Sequence, residues 1–171
     1  MKKIVTGLAI AVMITMTGCV STSDIKVESV TSEKANMKGY KTYQFLDGSG
    51  VVEEDSKGKL KEADGKIAEM IEQIINDELQ KKGKKPVAKH PDFYVAYLGG
   101  KESSAVMQEL NNEGKMIVKK KPEAAMLLML VDAQSGAILR LSTAEGEFKS
   151  LPDAQKKKRL TYAIKKMLKD I

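Results

Sequence analysis

The 171-residue sequence contains one cysteine, one histidine and no tryptophan. A single cysteine excludes a disulfide within the chain, so the fold must be stable without the bridges that many exported domains use. With one histidine and one cysteine, the sequence also offers no cluster of the nitrogen and sulfur ligands that zinc prefers. We therefore predict neither a metal site nor a cofactor.

Aromatic residues and excess charge of one sign are also scarce. Aromatic residues make up 5% of the chain, and the formal net charge is only +6, from 29 Lys and Arg against 23 Asp and Glu. Nucleic-acid-binding domains carry a concentrated basic patch, often with aromatic side chains on which bases stack. The composition therefore argues against a nucleic-acid partner.

The one cysteine, Cys19, follows a segment built like a secretory signal. Residues 1–3 are Met-Lys-Lys, residues 4–17 are fourteen mostly apolar residues, and Gly18 provides a small residue at the cleavage point. This stretch is too short for a membrane span, because about 20 apolar residues are needed to cross ~30 Å of hydrocarbon. The sequence therefore predicts a signal peptide over residues 1–18, cleaved between Gly18 and Cys19.

The four residues Met16-Thr17-Gly18-Cys19 resemble the lipobox of bacterial lipoproteins. The resemblance implies that the Cys19 sulfur carries a diacylglycerol, that the new amino terminus is acylated, and that residues 19–23 form a lipidated tether to the membrane. Val20 lacks the acidic charge that resembles an inner-membrane retention signal in enteric bacteria, so we expect an outer-membrane lipoprotein facing the periplasm. The alternative is an ordinary secreted protein with a coincidental cysteine at this place.

Without residues 1–18 the chain keeps 153 residues and a net charge of +4, because Lys2 and Lys3 leave with the signal. That length fits one domain of the usual size of about 100 to 200 residues. A domain of this size buries enough surface to fold around a single core. We therefore predict one domain over residues 24–171.

Two amphipathic helices are predicted. The first covers residues 64–82, with a possible N-cap at Asp64, and the second begins at Pro152-Asp153. In both, apolar residues recur at the three- and four-residue spacing that places them on one face of a helix. The first stripe contains Ile67, Met70, Ile71, Ile74, Ile75 and Leu79, and the second contains Leu160, Ala163, Ile164, Met167, Leu168 and Ile171.

Strands are predicted where β-branched, aromatic or alternating apolar residues lie between turn signals. A polar stretch over residues 47–62 is expected to be an exposed loop, Gly99-Gly100 is expected to end a strand, and residues 101–123 are expected to form a hairpin-like excursion. The run Ala125–Val131 fits a central strand covered on both faces or a helical segment, and its length favours the strand. The predicted strands are residues 24–28, 39–46, 91–98, 125–131 and 137–147.

This order predicts an α+β fold with one mixed, mostly antiparallel sheet and both helices on one face, in the order β-β-α-β-β-β-α. The first helix joins residues 39–46 to residues 91–98, which we expect to be parallel neighbours. The last two strands are expected to form an antiparallel hairpin.

Three segments resemble the domain-of-unknown-function 4136 family of bacterial envelope lipoproteins: Gly39-Tyr40-Lys41-Thr42-Tyr43, Pro91 to Tyr97, and Leu130 to Gly136. The resemblance spans most of residues 24–170. Because this family has no settled activity, the resemblance implies a fold and a location and nothing about catalysis.

No arrangement of residues predicts an active site. His90 precedes Pro91 and is expected in a loop, Ser103 and Ser104 lack a nucleophile motif, and the acidic run at residues 53–55 lies in a polar stretch. We therefore expect a non-enzymatic accessory or binding module of the cell envelope. The alternatives are an enzyme acting on envelope polymers, with a site assembled from distant strands, and a subunit that self-associates through a sheet edge or residues 101–123.

The last helix supplies the one predicted contact surface. Its polar side is strongly basic, and basic side chains near a membrane are attracted to anionic headgroups. We expect this side to contact anionic lipid or an acidic envelope protein, and the alternative is a simply solvated surface. The residues concerned are Lys156, Lys157, Lys158, Arg159, Lys165 and Lys166.

Overall fold

The protein is described by a computed structural model. It describes residues 20–33, 35–54, 60–62, 65–101, 108–110, 116–118, 124–146 and 151–171. The predicted signal peptide, Cys19, Asp64, Ser103 and Ser104 lie outside these ranges. The elements are β1 (Lys26–Thr31), β2 (Thr42–Phe45), β3 (Gly50–Glu54), β4 (Leu60–Glu62), α1 (Gly65–Lys81), β5 (Lys85–Pro86), β6 (Phe93–Lys101), β7 (Gln108–Leu110), β8 (Met116–Val118), β9 (Ala124–Asp132), β10 (Ile138–Gly146) and α2 (Asp153–Met167).

Eight of the described strands form one mixed sheet in the order β1-β10-β9-β6-β2-β5, with β3 beside β6 and β4 beside β3. The long pairings, β1 with β10, β10 with β9 and β9 with β6, are antiparallel. The parallel pairing of β2 with β6 sets Tyr43 against Phe93. The predictions of an α+β fold, of a parallel pair joined through α1 and of a late hairpin are confirmed.

Both helices pack on one face of this sheet and enclose the core. The stripe of α1 is buried at Ile71, Ile74, Ile75 and Leu79, and α2 contributes Leu160, Ala163, Ile164 and Met167. These side chains meet the alternate residues of the central strands, as a two-layer α/β arrangement requires. The sheet side of the core consists of Tyr43, Val51, Phe93, Val95, Tyr97, Met126, Leu128, Leu130, Leu139 and Ala144.

The predicted loop over residues 47–62 is wrong, because it contains β3 and β4. β3 runs parallel to β6 and pairs Val51 with Gly99. Between β2 and β3, the Ser49 hydroxyl replaces a backbone partner by accepting a hydrogen bond from the Tyr97 amide at 3.3 Å. β2 and β3 therefore follow one another along the same side of β6.

The prediction that Gly99-Gly100 ends a strand is also wrong, because β6 continues to Lys101. The lack of a side chain at Gly99 is needed for packing. A Cβ there would lie 3.3 Å from Val51 Cγ2 and 3.8 Å from Ile71 Cδ1. Glycine thus lets β3 and α1 approach β6 closely.

Within the predicted excursion, β7 and β8 form a separate antiparallel pair, so the hairpin is confirmed.

The central position of β9 is confirmed, but its coverage on both faces is not. Met126, Leu128 and Leu130 are buried under the helices, whereas Leu127, Met129 and Val131 are only half-buried. Successive side chains of a strand point to opposite faces, so one apolar face of β9 is left partly open. No helix in the described ranges is long and apolar enough to cross a membrane.

Candidate functional site

The segment that follows Cys19 is held against the body of the domain by Arg159. The Arg159 guanidinium donates from Nη1 to the Ser21 carbonyl, and from Nη1 and Nη2 to the two carboxylate oxygens of Asp24, the Nη1 to Oδ1 distance being 3.0 Å. Its side chain is 6% exposed, so this ion pair is largely shielded from solvent. We call these three residues the N-terminal clamp.

The clamp lies where β10 ends. A Cβ at Gly146 would be 3.3 Å from Arg159 Nη2 and 3.5 Å from Asp24 Oδ2, so glycine is what lets the ion pair approach the strand. β1 begins two residues after Asp24 and pairs Lys26 with Glu145. The N-terminal segment is therefore fixed at one end of the sheet, which we call the clamp end.

The structure removes Arg159 from the basic surface predicted on α2. At about 100° per residue, Arg159 lies beside Ala163 on the buried side of the helix, not with the lysines. Lys156 is partly covered and pairs with Asp153 at 3.1 Å. The exposed remainder, which we call the basic face, consists of Lys157, Lys158, Lys165 and Lys166.

An apolar surface covers the side of the sheet that faces away from the helices. Cross-strand partners point to the same side of a sheet, so the pairings Ala96–Met129, Met129–Leu141 and Leu141–Val30 form one continuous row over four strands. We call this surface the open face. It consists of Val30, Tyr94, Ala96, Leu98, Leu127, Met129, Val131, Ile138 and Leu141.

Several of these side chains are strongly exposed. Val30 is 72% exposed, Ile138 52% and Leu98 43%. Among the described pairings of these four strands, the charged side chains on this side are Glu28, Lys26 and Glu145. Glu28 opposes Thr143 in the row of Leu98 and Leu127, and Lys26 opposes Glu145 one row nearer the clamp end. The largest apolar patch on a typical monomer covers about 300 to 600 Å² and is often functional, so this surface is a candidate interaction site.

The three segments that carry the family resemblance meet at the other end of the sheet, which we call the motif end. The Tyr40 hydroxyl donates to Asp132 Oδ2 at 2.6 Å. Asp92 Oδ2 accepts from the backbone amides of Lys41 and Thr42 at 2.6 and 2.8 Å. Asp132 Oδ1 accepts from the amides of residues 134 and 135 and from the Ser135 hydroxyl.

These hydrogen bonds keep both carboxylates ionised. The Tyr40 hydroxyl, with the donors of Ser135, lowers the pKa of Asp132 to about 2. The amides of Lys41 and Thr42 lower the pKa of Asp92, and the bond to Asp132 raises the pKa of Tyr40. A carboxylate with a lowered pKa is a poor proton donor near neutral pH. The motif end therefore joins three segments through hydrogen bonds that favour the ionised carboxylates.

A buried lysine binds the segment that precedes β2 at the motif end. Lys84 is 4% exposed, and its Nζ donates to the carbonyls of Met37 and Tyr40 at 2.6 and 2.7 Å. Burial lowers the pKa of Lys84.

His90, predicted in a loop, lies in the loop before β6 with a φ of 50°. Within the described ranges, no three His, Cys, Asp or Glu side chains converge on a point where a metal ion could bind.

A small cavity of about 70 Å³ lies between the helices and the sheet near the clamp end. Small residues on the sheet leave this space, among them Gly99, Ala125, Ala144 and Gly146. Its walls are almost wholly apolar, and the guanidinium of Arg159 beside it is already bonded to Asp24. Among the described residues that line this cavity, Glu145 and Arg159 are the charged ones.

Comparison with known proteins supports the fold. A DUF4136 family protein from Bacteroides thetaiotaomicron is similar in structure, with a TM-score of 0.59 and 13% identity over 84% of this chain and 94% of that chain. A PelC dodecamer from Paraburkholderia phytofirmans gives a TM-score of 0.49 at 13% identity, over 84% of this chain and 94% of that chain. A PDZ domain protein from Parabacteroides distasonis gives 0.48 at 17% identity, over 84% of this chain and 36% of that chain. At TM-scores this low, the last two do not inform the fold or assembly of this chain.

No curated protein matches the sequence. The family model described as a domain of unknown function, DUF4136, matches residues 27–171. That range runs from the second residue of β1 through α2 and includes the motif end and the open face. The chain therefore belongs to the DUF4136 family.

Proposed function

We propose that this protein is a lipid-anchored, non-enzymatic binding module at the periplasmic side of the outer membrane. The observation that carries the proposal is the N-terminal clamp. Because Arg159 binds Ser21 and Asp24, a lipid on Cys19 would be attached two residues from a fixed point of the domain. Two extended residues span at most about 7 Å, so the clamp end would stand at the membrane surface.

The basic face of α2 supports the same orientation. Arg159 belongs to this helix, and Lys166 lies seven residues further along it, about 10 Å away at 1.5 Å per residue. Lys157 and Lys158, beside Arg159, would therefore lie near a bilayer that holds the clamp end, and Lys165 and Lys166 would lie further from it along the helix. A lysine near an anionic surface contributes about 1 kcal/mol of attraction.

The open face supports a role in binding. It presents apolar side chains from four strands, and the charged residue that the described pairings place in its rows, Glu28, lies at the outer end of one row. An enzyme of envelope polymers is less well supported, because the carboxylates that meet at the motif end are occupied by internal hydrogen bonds. A surface that buries apolar side chains on contact fits an accessory protein better than a hydrolase.

Replacement of Cys19 by Ser tests the anchor. If Cys19 carries lipid, the wild-type protein sediments with outer membranes and resists extraction by salt, whereas the Cys19→Ser variant is not processed at this cysteine and carries no diacylglycerol. Ser21→Ala is the matched control, because it changes a neighbouring residue and leaves the backbone carbonyl that Arg159 binds. Wild-type protein found only in soluble or inner-membrane fractions would contradict the proposal.

A further inference from the structure

We propose that the open face packs against the open face of a second copy of this chain, with a two-fold axis parallel to the strands. This inference uses the orientation given by the proposed anchor. The two copies stand side by side on one membrane, and their sheets meet face to face. The surface lies on a face of the sheet and not along its edges.

The position of the clamp determines the direction of the axis. The clamp holds the N-terminal segment where β10 ends, and β9 and β6 each have nine residues that run between the clamp end and the motif end. At about 3.3 Å per residue, the open face rises roughly 30 Å from that end. A two-fold axis along the strands keeps both clamp ends on the same side, so both copies can be anchored in one leaflet.

The size of the open face can be compared with that of a dimer interface. Three rows of side chains over four strands cover roughly 20 Å by 19 Å, or about 400 Å² in projection, and the apolar residues, three each on β6 and β9, two on β10 and one on β1, fill about 300 Å² of it. A standard interface buries about 800 Å² per partner, of which the centre is apolar and the rim polar. The open face therefore has the dimensions of the apolar centre, and the polar residues around it supply a rim.

The chemistry of the face suits contact with itself. In a two-fold interface, residues on the axis meet their own copies, so a charge there would be repelled. β9 places Leu127, Met129 and Val131 in the middle of the face, and all three are uncharged. The unbranched side chain of Met129 can adapt to its copy. Glu28 lies at the β1 end of the row that contains Leu98, Leu127 and Thr143. Lys26 and Glu145 lie one row nearer the clamp end, so the charges stand at the border of the apolar surface.

Anchoring also favours a second copy over a different partner. Two copies tethered to one leaflet with the same orientation meet at a high effective concentration, which strengthens a contact that would be weak between free molecules. The face is presented at the same height above the membrane in every copy. Aligned packing of two sheets, about 10 Å apart, is a common arrangement in proteins.

Site-directed crosslinking in native membranes tests the proposal. The sequence has only Cys19, whose thiol is consumed if it is lipidated, so Met129→Cys introduces a single reactive thiol. A short bis-maleimide that spans about the 10 Å between packed sheets should link two copies through residue 129. Lys158→Cys, on the exposed side of α2, is the matched control and should remain monomeric. Adding Leu127→Glu to Met129→Cys should reduce the crosslinked dimer at least tenfold.

The outcomes separate the dimer from the anchor. A dimer at residue 129 but not at residue 158, with an unreactive wild-type chain, supports both proposals. If Met129→Cys stays monomeric and the wild-type chain does not react with maleimide, the anchor is supported and the dimer is overturned. A crosslink from residue 129 to a protein of different mass also overturns the dimer. Wild-type protein that takes up maleimide has a free Cys19 thiol and contradicts the anchor. The dimer is then judged by crosslinking of Met129→Cys in a Cys19→Ser background.

Discussion

Asp132 joins two of the three segments on which the family resemblance rests. It accepts from the Tyr40 hydroxyl before β2 and from the turn after β9, while Asp92 holds the start of β2. Each bond favours the ionised carboxylate, so folding lowers the pKa of Asp132 to about 2 from an ordinary value of about 3.9. This carboxylate therefore makes the stability of the fold depend on pH in a defined window.

The sign of that dependence follows from linkage. A carboxylate with a lowered pKa in the folded state stabilises fully above its unfolded pKa, and this contribution is lost as the pH falls through the folded pKa. Between pH 4 and pH 2 the wild-type protein should lose stability, and Asp132→Asn should lose less over the same window. Urea unfolding at half-unit steps of pH measures both slopes. Asp47→Asn removes the same charge at an exposed turn and is the control, and equal slopes for wild type and Asp132→Asn would refute the assignment.

Gly146 is the second residue with a measurable role. An alanine Cβ there would lie 3.2 Å from Ile25 Cγ1 and 3.3 Å from Arg159 Nη2, so the clamp would have to shift. Overpacking of this kind typically costs about 1 to 3 kcal/mol, and we expect Gly146→Ala to lower the free energy of unfolding by that amount. At Gly65, where nothing lies within 4 Å, the same substitution should be neutral or stabilising. Chemical denaturation compares the two, and equal effects would show that the clamp tolerates the added methyl group.

The burial of Arg159 was not predicted, although a signal was present. The stripe of α2 includes Ala163, and Arg159 precedes it by four residues, which places both on one side of a helix. The predicted basic surface included Arg159 because its charge matches that of its lysine neighbours. Its partner Asp24 lies 135 residues earlier, and nothing in the sequence indicates that pairing.

Among the elements, the two helices and the late hairpin could be predicted because their signals are local. Periodicity marked the stripes of α1 and α2, and a turn at Asp132 to Gly136 separated β9 from β10. β3 could not be predicted in this way. Its strand character depends on pairing with β6, almost fifty residues away, and its short apolar part, Val51-Val52, lies among polar residues. The continuation of β6 through Gly99-Gly100 has the same non-local cause.

The basic face of α2 leads to a prediction about membrane binding. Lysines in the last turn of a helix also interact favourably with the helix dipole, so Lys165 and Lys166 have a structural explanation as well. The helix-dipole explanation predicts no effect of these lysines on membrane binding, whereas the lipid-contact explanation predicts that they strengthen binding to anionic vesicles. Changing Lys157, Lys158 and Lys165 to Gln should weaken binding of the unlipidated mature chain to vesicles containing phosphatidylglycerol roughly tenfold or more, and the effect should disappear at high salt.

The control for this experiment is a triple substitution far from the clamp end. Lys38, Lys85 and Lys89 are exposed and lie near the motif end. Their replacement by Gln changes the net charge equally and should leave vesicle binding nearly unchanged. If both triple variants bind equally weakly, net charge and not the basic face attracts the chain to the vesicle. If the α2 variant binds as well as the wild-type chain, the lysines of α2 are only solvated.

At the scale of the whole molecule, the α+β architecture and the position of both helices on one face could be predicted from the order of the elements. The open face could not. A continuous apolar run such as residues 125–131 does not tell which side of the strand is covered, since the side chains of both faces are apolar. The alternation of buried and half-buried residues along β9 appears only in the folded chain. The surface that we propose for binding was therefore hidden within a segment predicted as core.

The clamp, the basic face and the open face have the orientation relative to a membrane that we propose only if that membrane lies at the clamp end. Each has a separate physical origin: a buried ion pair, a row of lysines and a sheet face on which no described helix packs. Their common consequence depends on Cys19, because lipid at that residue would place the clamp end on the bilayer and leave the strands of the open face roughly perpendicular to it.

The most direct test is the intact mass of the protein purified from the membranes of its own host. The account predicts a chain that begins at Cys19 and is heavier than residues 19–171 by a diacylglycerol and an amino-terminal acyl group. A mass that corresponds to an unmodified cysteine, or to a chain that retains residues 1–18, would contradict the anchor and the orientation that depends on it.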